Sequence, residues 1–464
     1  MSAEERLADV VIEAEAEEEE EDDEEEMPSY LKRRRQQRRN ARRKNREVID
    51  EFLGDGRRTQ AVGIMPRYYA ELATWALHRY LERQNWRVAA SLGHGAPEPV
   101  YIDVSTGCDR RENLLVCGQM LIERNGDRLI LTVDVNPRYQ GSVLVEGPVE
   151  KKEKIEAFVD GFMAIAKEEN LYRGQKIEFS GRVHFLNVKG RSWDDIVLDP
   201  ATKMEVRANT VDFLRKRVRW AEYGIPQKRG VLLAGEPGTG KTLVCKALMG
   251  EAEGITCITT NAYKLCADEY ITDLYEMAQD LSPCIVFIED IDLIGLNREE
   301  YHYQHGPALL SLLNVLDGVE EKQEIVTVAT TNNWEALDRA ISRRPSRFDR
   351  VIKLSLPSLE ERRELVELLC RKIPMEGRTR DYIAGKAERC TPAQLQEVVY
   401  GLAIESPAGA PEVTSECLKL SRAEIDRAIS RVNGRNGRRL GFDIERNPRP
   451  QRPIFLEDPE EAQC

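Results

Sequence analysis

The chain has 464 residues, 41% of them hydrophobic, and a formal charge of −13, enough for two or three domains with cores of their own. No apolar run approaches the length of a membrane span and the N-terminus lacks the apolar core of a secretory leader, so a cytoplasmic protein is expected. The ten cysteines include no C-x-x-C pair and the five histidines no H-E-x-x-H, which argues against a disulfide framework, a zinc site and a fused metalloprotease.

Residues 1–56 read as a charged, disordered arm. Glu17 to Glu26 is unbroken acid, and ten of the fifteen residues from Lys32 to Arg46 are Lys or Arg; neither block offers apolar surface to bury. The basic block is suited to nucleic acid or an acidic partner; its plainer reading is a solvated arm paired with its own acidic neighbour. Residues 57–190 read as an α+β domain. Tyr69, Leu72, Ala73, Ala76, Leu77, Tyr80 and Leu81 share one helical stripe, and Ile155, Phe158, Val159, Phe162 and Ala166 another. Asn125-Gly126 between two β-rich runs predicts a two-residue hairpin. The pieces "KIEF" and "VHFLNV" read as further strands. His94 and His184 stand alone and suggest no chemistry.

From residue 191 to 356 helical patterns alternate with the apolar strands "GVLLAG", "ITCITT", "CIVFIED", "IVTVATT" and "VIKLSL", which predicts an α/β fold with a parallel sheet between helices. Residues 357–432 hold four helical segments, and 433–464 read as an extended tail.

"GVLLAGEPGTGKT" contains G-x-x-x-x-G-K-T between a strand and a helix, the context that a phosphate-binding loop requires. Glu236, Pro237, Gly238, Thr239, Gly240, Lys241, Thr242 and Leu243 are the expected nucleotide ligands. Backbone N–H groups curl around phosphate oxygens at a helix N-terminus, Lys241 reaches the β- and γ-phosphates, and the Thr242 hydroxyl ligates Mg²⁺. "PCIVFIEDID" then ends a buried strand in adjacent acids. Such a pair needs a cation, and Mg²⁺ on ATP supplies one. In the order found, Glu289 holds the metal position and Asp290 orients and deprotonates the attacking water.

With these motifs the chain resembles the AAA family of ATPases, within the AAA+ superfamily, over about Trp193 to Val432. "WDDIV" at Trp193–Val197 resembles the motif whose backbone lies beside adenine, which implies nucleotide contacts at Asp195 and Ile196. "VATTNNWEALDRAISRRPSRFDR" resembles the second region of homology, which implies a polar sensor at Asn332 and arginine fingers at Arg344 and Arg347. Fingers of this kind act on the neighbouring subunit's nucleotide and are worth about 10³–10⁵ in rate, so the resemblance also implies a homo-oligomeric ring, most often a hexamer. The helices of 357–432 take the place of the small lid domain, with Ala393 in "CTPAQLQEV" where a second sensor Arg stands in other members.

Three departures qualify the likeness. Most members read Asp-Glu where this chain reads Glu-Asp. The segment Asn261–Pro283 lacks the aromatic-apolar-Gly pore loop of protein-threading members, leaving Tyr263, or less suitably Tyr270, as the pore aromatic, with a packed core tyrosine the expected role. The stretch from Asp338 to Arg344 is one residue longer than usual, and Arg343 lies beside the candidates. The acid order and the short pore segment are similar to the mitochondrial Rieske-protein translocase type, over the ATPase core alone. The expected function is ATP-driven remodelling or disassembly of an unknown protein client or complex. The alternative is a nucleotide-gated assembly or nucleic-acid-binding switch with low turnover, bound through Lys32 to Arg46.

Overall fold

The structure is a computed structural model, which describes residues 29–54, 56–94, 97–136, 140–188, 192–265, 268–295, 312, 324–334, 348–405, 418 and 420–434. These form two units. The first holds the described residues up to Ile196, with Pro200–Gly235 and Lys241–Lys353; the second holds Val197–Asp199, Glu236–Gly240 and the described residues from Leu354 onward.

The basic block departs from the expected disordered arm, because Ser29–Leu53 is a helix of 25 residues. Its Arg, Lys, Gln, Ala and Glu residues are good helix formers, and neither Gly nor Pro interrupts it. Its last turns are docked. Asn45 donates to the Gly93 carbonyl at 2.9 Å, Arg128 donates to that of Phe52 at 3.1 Å while lying over the Phe52 ring, and Asp50 pairs with Arg58. The acidic run, and the tail from residue 435, lie outside the described residues.

An antiparallel sheet follows, built from β1 (Arg58–Pro66), β2 (Arg87–Leu92), β3 (Val100–Ser105), β4 (Arg111–Arg124), β5 (Asp127–Asn136) and β6 (Gln140–Pro148), in the order β1-β6-β5-β4-β2 with β3 also on β4. The β4–β5 turn falls at Asn125-Gly126, whose φ values of 50° and 82° suit the left-handed turn of a two-residue hairpin. The helices Ala70–Arg83 and Lys152–Glu168 bury most of the predicted stripes, with Tyr80 half-buried. Phe158 stands edge-on to both Tyr80 and Trp86, and burial of its side chain contributes about 1.5–3 kcal/mol.

The next two strands correct the sequence reading. β7 (Lys176–Phe179) and β8 (Val183–Phe185) leave the antiparallel sheet and extend a second one, made with β9 (Lys228–Ala234), β10 (Thr256–Asn261), β11 (Cys284–Glu289), β12 (Ile325–Thr331) and β13 (Arg350–Lys353). Its order is β13-β9-β12-β11-β10-β7-β8, parallel throughout except at β8. Lys176 secures β7 there by donating to the carbonyls of Ala252 and Ile255, at 2.5 and 2.7 Å. β11 and β12 are buried along nearly their whole length, as strands covered on both faces must be. The two sheets share one hydrophobic core. Polar links reinforce it: Arg67 Nε bonds Asp273 at 2.5 Å and the Tyr68 hydroxyl donates to Glu276 at 3.3 Å.

In the second unit the four predicted helical segments are Leu359–Leu369, Gly377–Lys386, Pro392–Glu405 and Arg422–Gly434. Ser358 and Glu361 form a capping box at the start of the first. Val366, Ile383, Leu395 and Val399 form their core.

Candidate active site

β9, β12 and β11 are neighbours whose C-terminal ends are level, since Thr331 pairs with Ala234 and Ala329 with Ile288. Ligands of open parallel sheets bind outside such ends. The chain leaves β9 at Gly235, whose N–H donates to the Thr331 carbonyl at 3.3 Å. Lys241 opens the helix Lys241–Glu251 and is only 6% exposed, with its Nζ donating to the Gly235 carbonyl at 2.7 Å. Burial lowers its pKa, against the carboxylates of Asp290 and Asp292, which raise it. A buried ammonium facing two acids is poised to meet further negative charge. Thr242 and Leu243, next on the helix, are exposed.

At the end of β11, Glu289 is half-buried. Burial pushes its pKa up, and the charge of Asp290 adds to the rise while Lys246 opposes it. Asp290 has φ 53°, a left-handed backbone that Asp tolerates better than most residues. Its N–H donates to Thr330 Oγ1 at 3.0 Å. Asn332, just beyond β12, donates from Nδ2 to Asp290 Oδ1 at 3.0 Å, and its backbone N–H donates to Asp292 Oδ1 at 3.2 Å. The amide and the acid that the sequence named separately are therefore one hydrogen-bonded pair. Asp292 is the residue missed here; its place two residues after Asp290 in "FIEDID" was the available signal.

The crown of the loop, Glu236–Gly240, belongs to the second unit. Glu236 and Pro237 are exposed, whereas Thr239 is 3% exposed and its hydroxyl donates to the Glu236 carbonyl at 2.8 Å. Gly238 has φ 86°, and a Cβ there would stand 2.8 Å from Thr391 Oγ1 and 3.0 Å from Ala393 Cβ. Ala393, where a second-sensor Arg was sought, instead gives its backbone N–H to the Gly238 carbonyl at 3.1 Å. Nothing in the sequence pattern announces that contact.

Asp195 closes a capping box, and Ile196 follows it: Ser192 Oγ accepts from Asp194 N and Asp195 Oδ2 accepts from Ser192 N. This segment is tied to the end of the Lys241 helix, because Trp193 Nε1 donates to Glu251 at 2.6 Å and Arg207 also binds that carboxylate. Arg343, Arg344 and Arg347 lie outside the described residues. Tyr263 is not the packed tyrosine expected. It sits on the turn Ala262–Leu265 with 75% exposure, its N–H held by Asn261 Oδ1 at 2.8 Å. Tyr270 is the one that packs, against Phe179 and beneath Arg67.

These residues suit a magnesium nucleotide. Gly238 and Gly240 adopt positive φ that leaves room for phosphate close to the backbone. Lys241 supplies a fixed cation, and the raised pKa of Glu289 marks a carboxylate that a metal would relieve.

Comparison with known proteins agrees. The family model described as "ATPase family associated with various cellular activities (AAA)" matches residues 231–356. The ATP-dependent zinc metalloprotease FtsH 2 of Sphaerobacter thermophilus is 36% identical over 221 residues, covering 46% of this chain and 34% of that protein. FtsH 3 of the same organism is 34% identical over 238 residues, covering 49% and 47%. FtsH of Pelobacter propionicus is 33% identical over 246 residues, covering 50% and 39%. The chain thus spans less than half the length of each of these three relatives. Residues 231–356 therefore match the AAA family of ATPases, and ATP with Mg²⁺ is the nucleotide that this match supports.

Proposed function

We propose that ATP turnover by this domain drives remodelling or disassembly of a protein client or complex, carried out by an oligomeric ring of this chain. The observation that carries the catalytic part is the meeting of Lys241, Asn332 and Asp290 at the level ends of three adjacent strands. When bound, Mg²⁺-ATP supplies the γ-phosphoryl electrophile, with the ion neutralising its oxygens. Lys241 and the loop residues Glu236–Gly240 hold the phosphates, and Thr242 and Glu289 hold the metal. Asp290, kept in place by Asn332, takes the proton of the attacking water. Asp195 and Ile196 line the base. The protease half of the relatives' names gives no ground for a proposal, since the 464 residues contain no H-E-x-x-H.

Arg344 and Arg347 are the proposed fingers, acting across subunits. Mixing Arg347→Ala chains with Lys241→Ala chains is expected to restore ATPase activity at mixed interfaces, where one partner binds nucleotide and the other supplies the finger. No recovery at any ratio, with co-assembly shown, would refute catalysis in trans.

The shared core and the Arg67–Asp273 and Tyr68–Glu276 links support transmission through the antiparallel sheet as a rigid body. A second reading, threading gripped by Tyr263, is favoured by that residue's exposure. The rigid-body reading expects client processing to survive Tyr263→Ala. Its loss, with ATPase activity and assembly intact, would establish the grip.

A further inference from the structure

The helix Ser29–Leu53 has no role in the nucleotide site, yet it is the most strongly charged element described. Between Lys32 and Arg46 it carries eight Arg and two Lys without one acid, interleaved with Gln36, Gln37, Asn40 and Asn45. At 1.5 Å per residue this basic length is about 20 Å. Arg42, Arg43, Lys44 and Arg46 are exposed. The first acid, Glu47, lies within 3.9 Å of Arg43, and the anchoring contacts fall between Asn45 and Phe52. The charge therefore stands on a preformed rod fixed to the antiparallel sheet at one end.

We propose that this helix is a docking element for double-stranded DNA, with its guanidinium groups on the phosphates. Guanidinium forks match phosphate oxygens in pairs. The major groove of B-form DNA, about 12 Å wide, admits one helix. The composition disfavours other polyanions. Between Lys32 and Arg46 Ala41 is the sole apolar residue, so there is no aromatic or aliphatic anchor for a protein interface and no apolar face to enter a bilayer. This inference is independent of ATP hydrolysis.

The test is fluorescence anisotropy of labelled 20-base-pair DNA and RNA duplexes titrated with the full chain across a salt series. If about five phosphates are engaged, log affinity should fall against log salt with a slope near −4 to −5. Joint substitution of Arg42, Arg43, Lys44 and Arg46 by Gln should flatten that slope by about 2–4 and weaken low-salt binding at least roughly tenfold, with ATP affinity unchanged. Tighter binding of the DNA duplex would support the proposal, since the narrow major groove of A-form RNA does not admit the helix. A second variant with Glu17–Glu26 replaced by Gln removes the chain's own competing acids. The proposal is overturned if neither the chain nor this variant binds the DNA duplex, if the fourfold Gln variant binds as tightly as the parent, or if the chain prefers the RNA duplex or phosphatidylserine vesicles to the DNA.

Discussion

Lys241→Ala should lower ATP affinity roughly 10- to 100-fold, the cost of losing a charge-assisted contact of about 1.5–3 kcal/mol to the phosphates. The side chain is already buried and oriented, with Nζ on the Gly235 carbonyl and Asp290 and Asp292 close enough to act on its charge. Ordering it therefore costs little when ATP binds, and its removal forfeits nearly the whole contact. ATPase activity at ATP concentrations below the weakened affinity should fall in parallel. A titration with a fluorescent ATP analogue checks this, and unchanged affinity in a folded variant would remove the phosphate loop from the account.

Asp290→Asn should reduce hydrolysis by about 10²–10⁴, the usual worth of a positioned general base, while ATP affinity stays within a few-fold. Asn preserves the volume and can still meet the Asn332 amide that now bonds Asp290 at 3.0 Å, but it accepts no proton. Phosphate release and nucleotide binding measured on the same preparation separate the two quantities. A wild-type rate would mean that another group activates the water. A parallel loss of affinity would mean that the acid serves binding instead.

Much of this site was legible in the sequence because its signals are local. Gly235 to Thr242 carries its own turn chemistry, and the apolar run into Glu289 and Asp290 announces a buried strand with acids at its end. The level alignment of β9, β12 and β11 follows from one parallel register. What was not legible depends on distant partners. β7 is four residues long with alternating burial, a pattern that fits either sheet; only its pairing with β10 and the reach of Lys176 place it. The helix Ser29–Leu53 offers Ala41 alone as an apolar residue through its basic block, and like charges at i,i+4 spacing oppose it. Its order comes from Asn45, Asp50 and Phe52 docking on another part of the chain. Tyr263 was expected to pack in the core because its segment lacks the pore-loop Gly, whereas it stands exposed on a turn, its N–H held by Asn261. Gly238 was read as a phosphate-loop glycine, yet it is also held by Ala393 from more than a hundred residues away.

The reversed acid pair is tested most directly by ATP affinity with and without Mg²⁺ in wild type, Glu289→Gln and Asp290→Asn. If Glu289 holds the metal and Asp290 serves the water, the gain in affinity on adding Mg²⁺ should shrink in Glu289→Gln and persist in Asp290→Asn. A gain that persists in Glu289→Gln and disappears in Asp290→Asn would contradict that assignment.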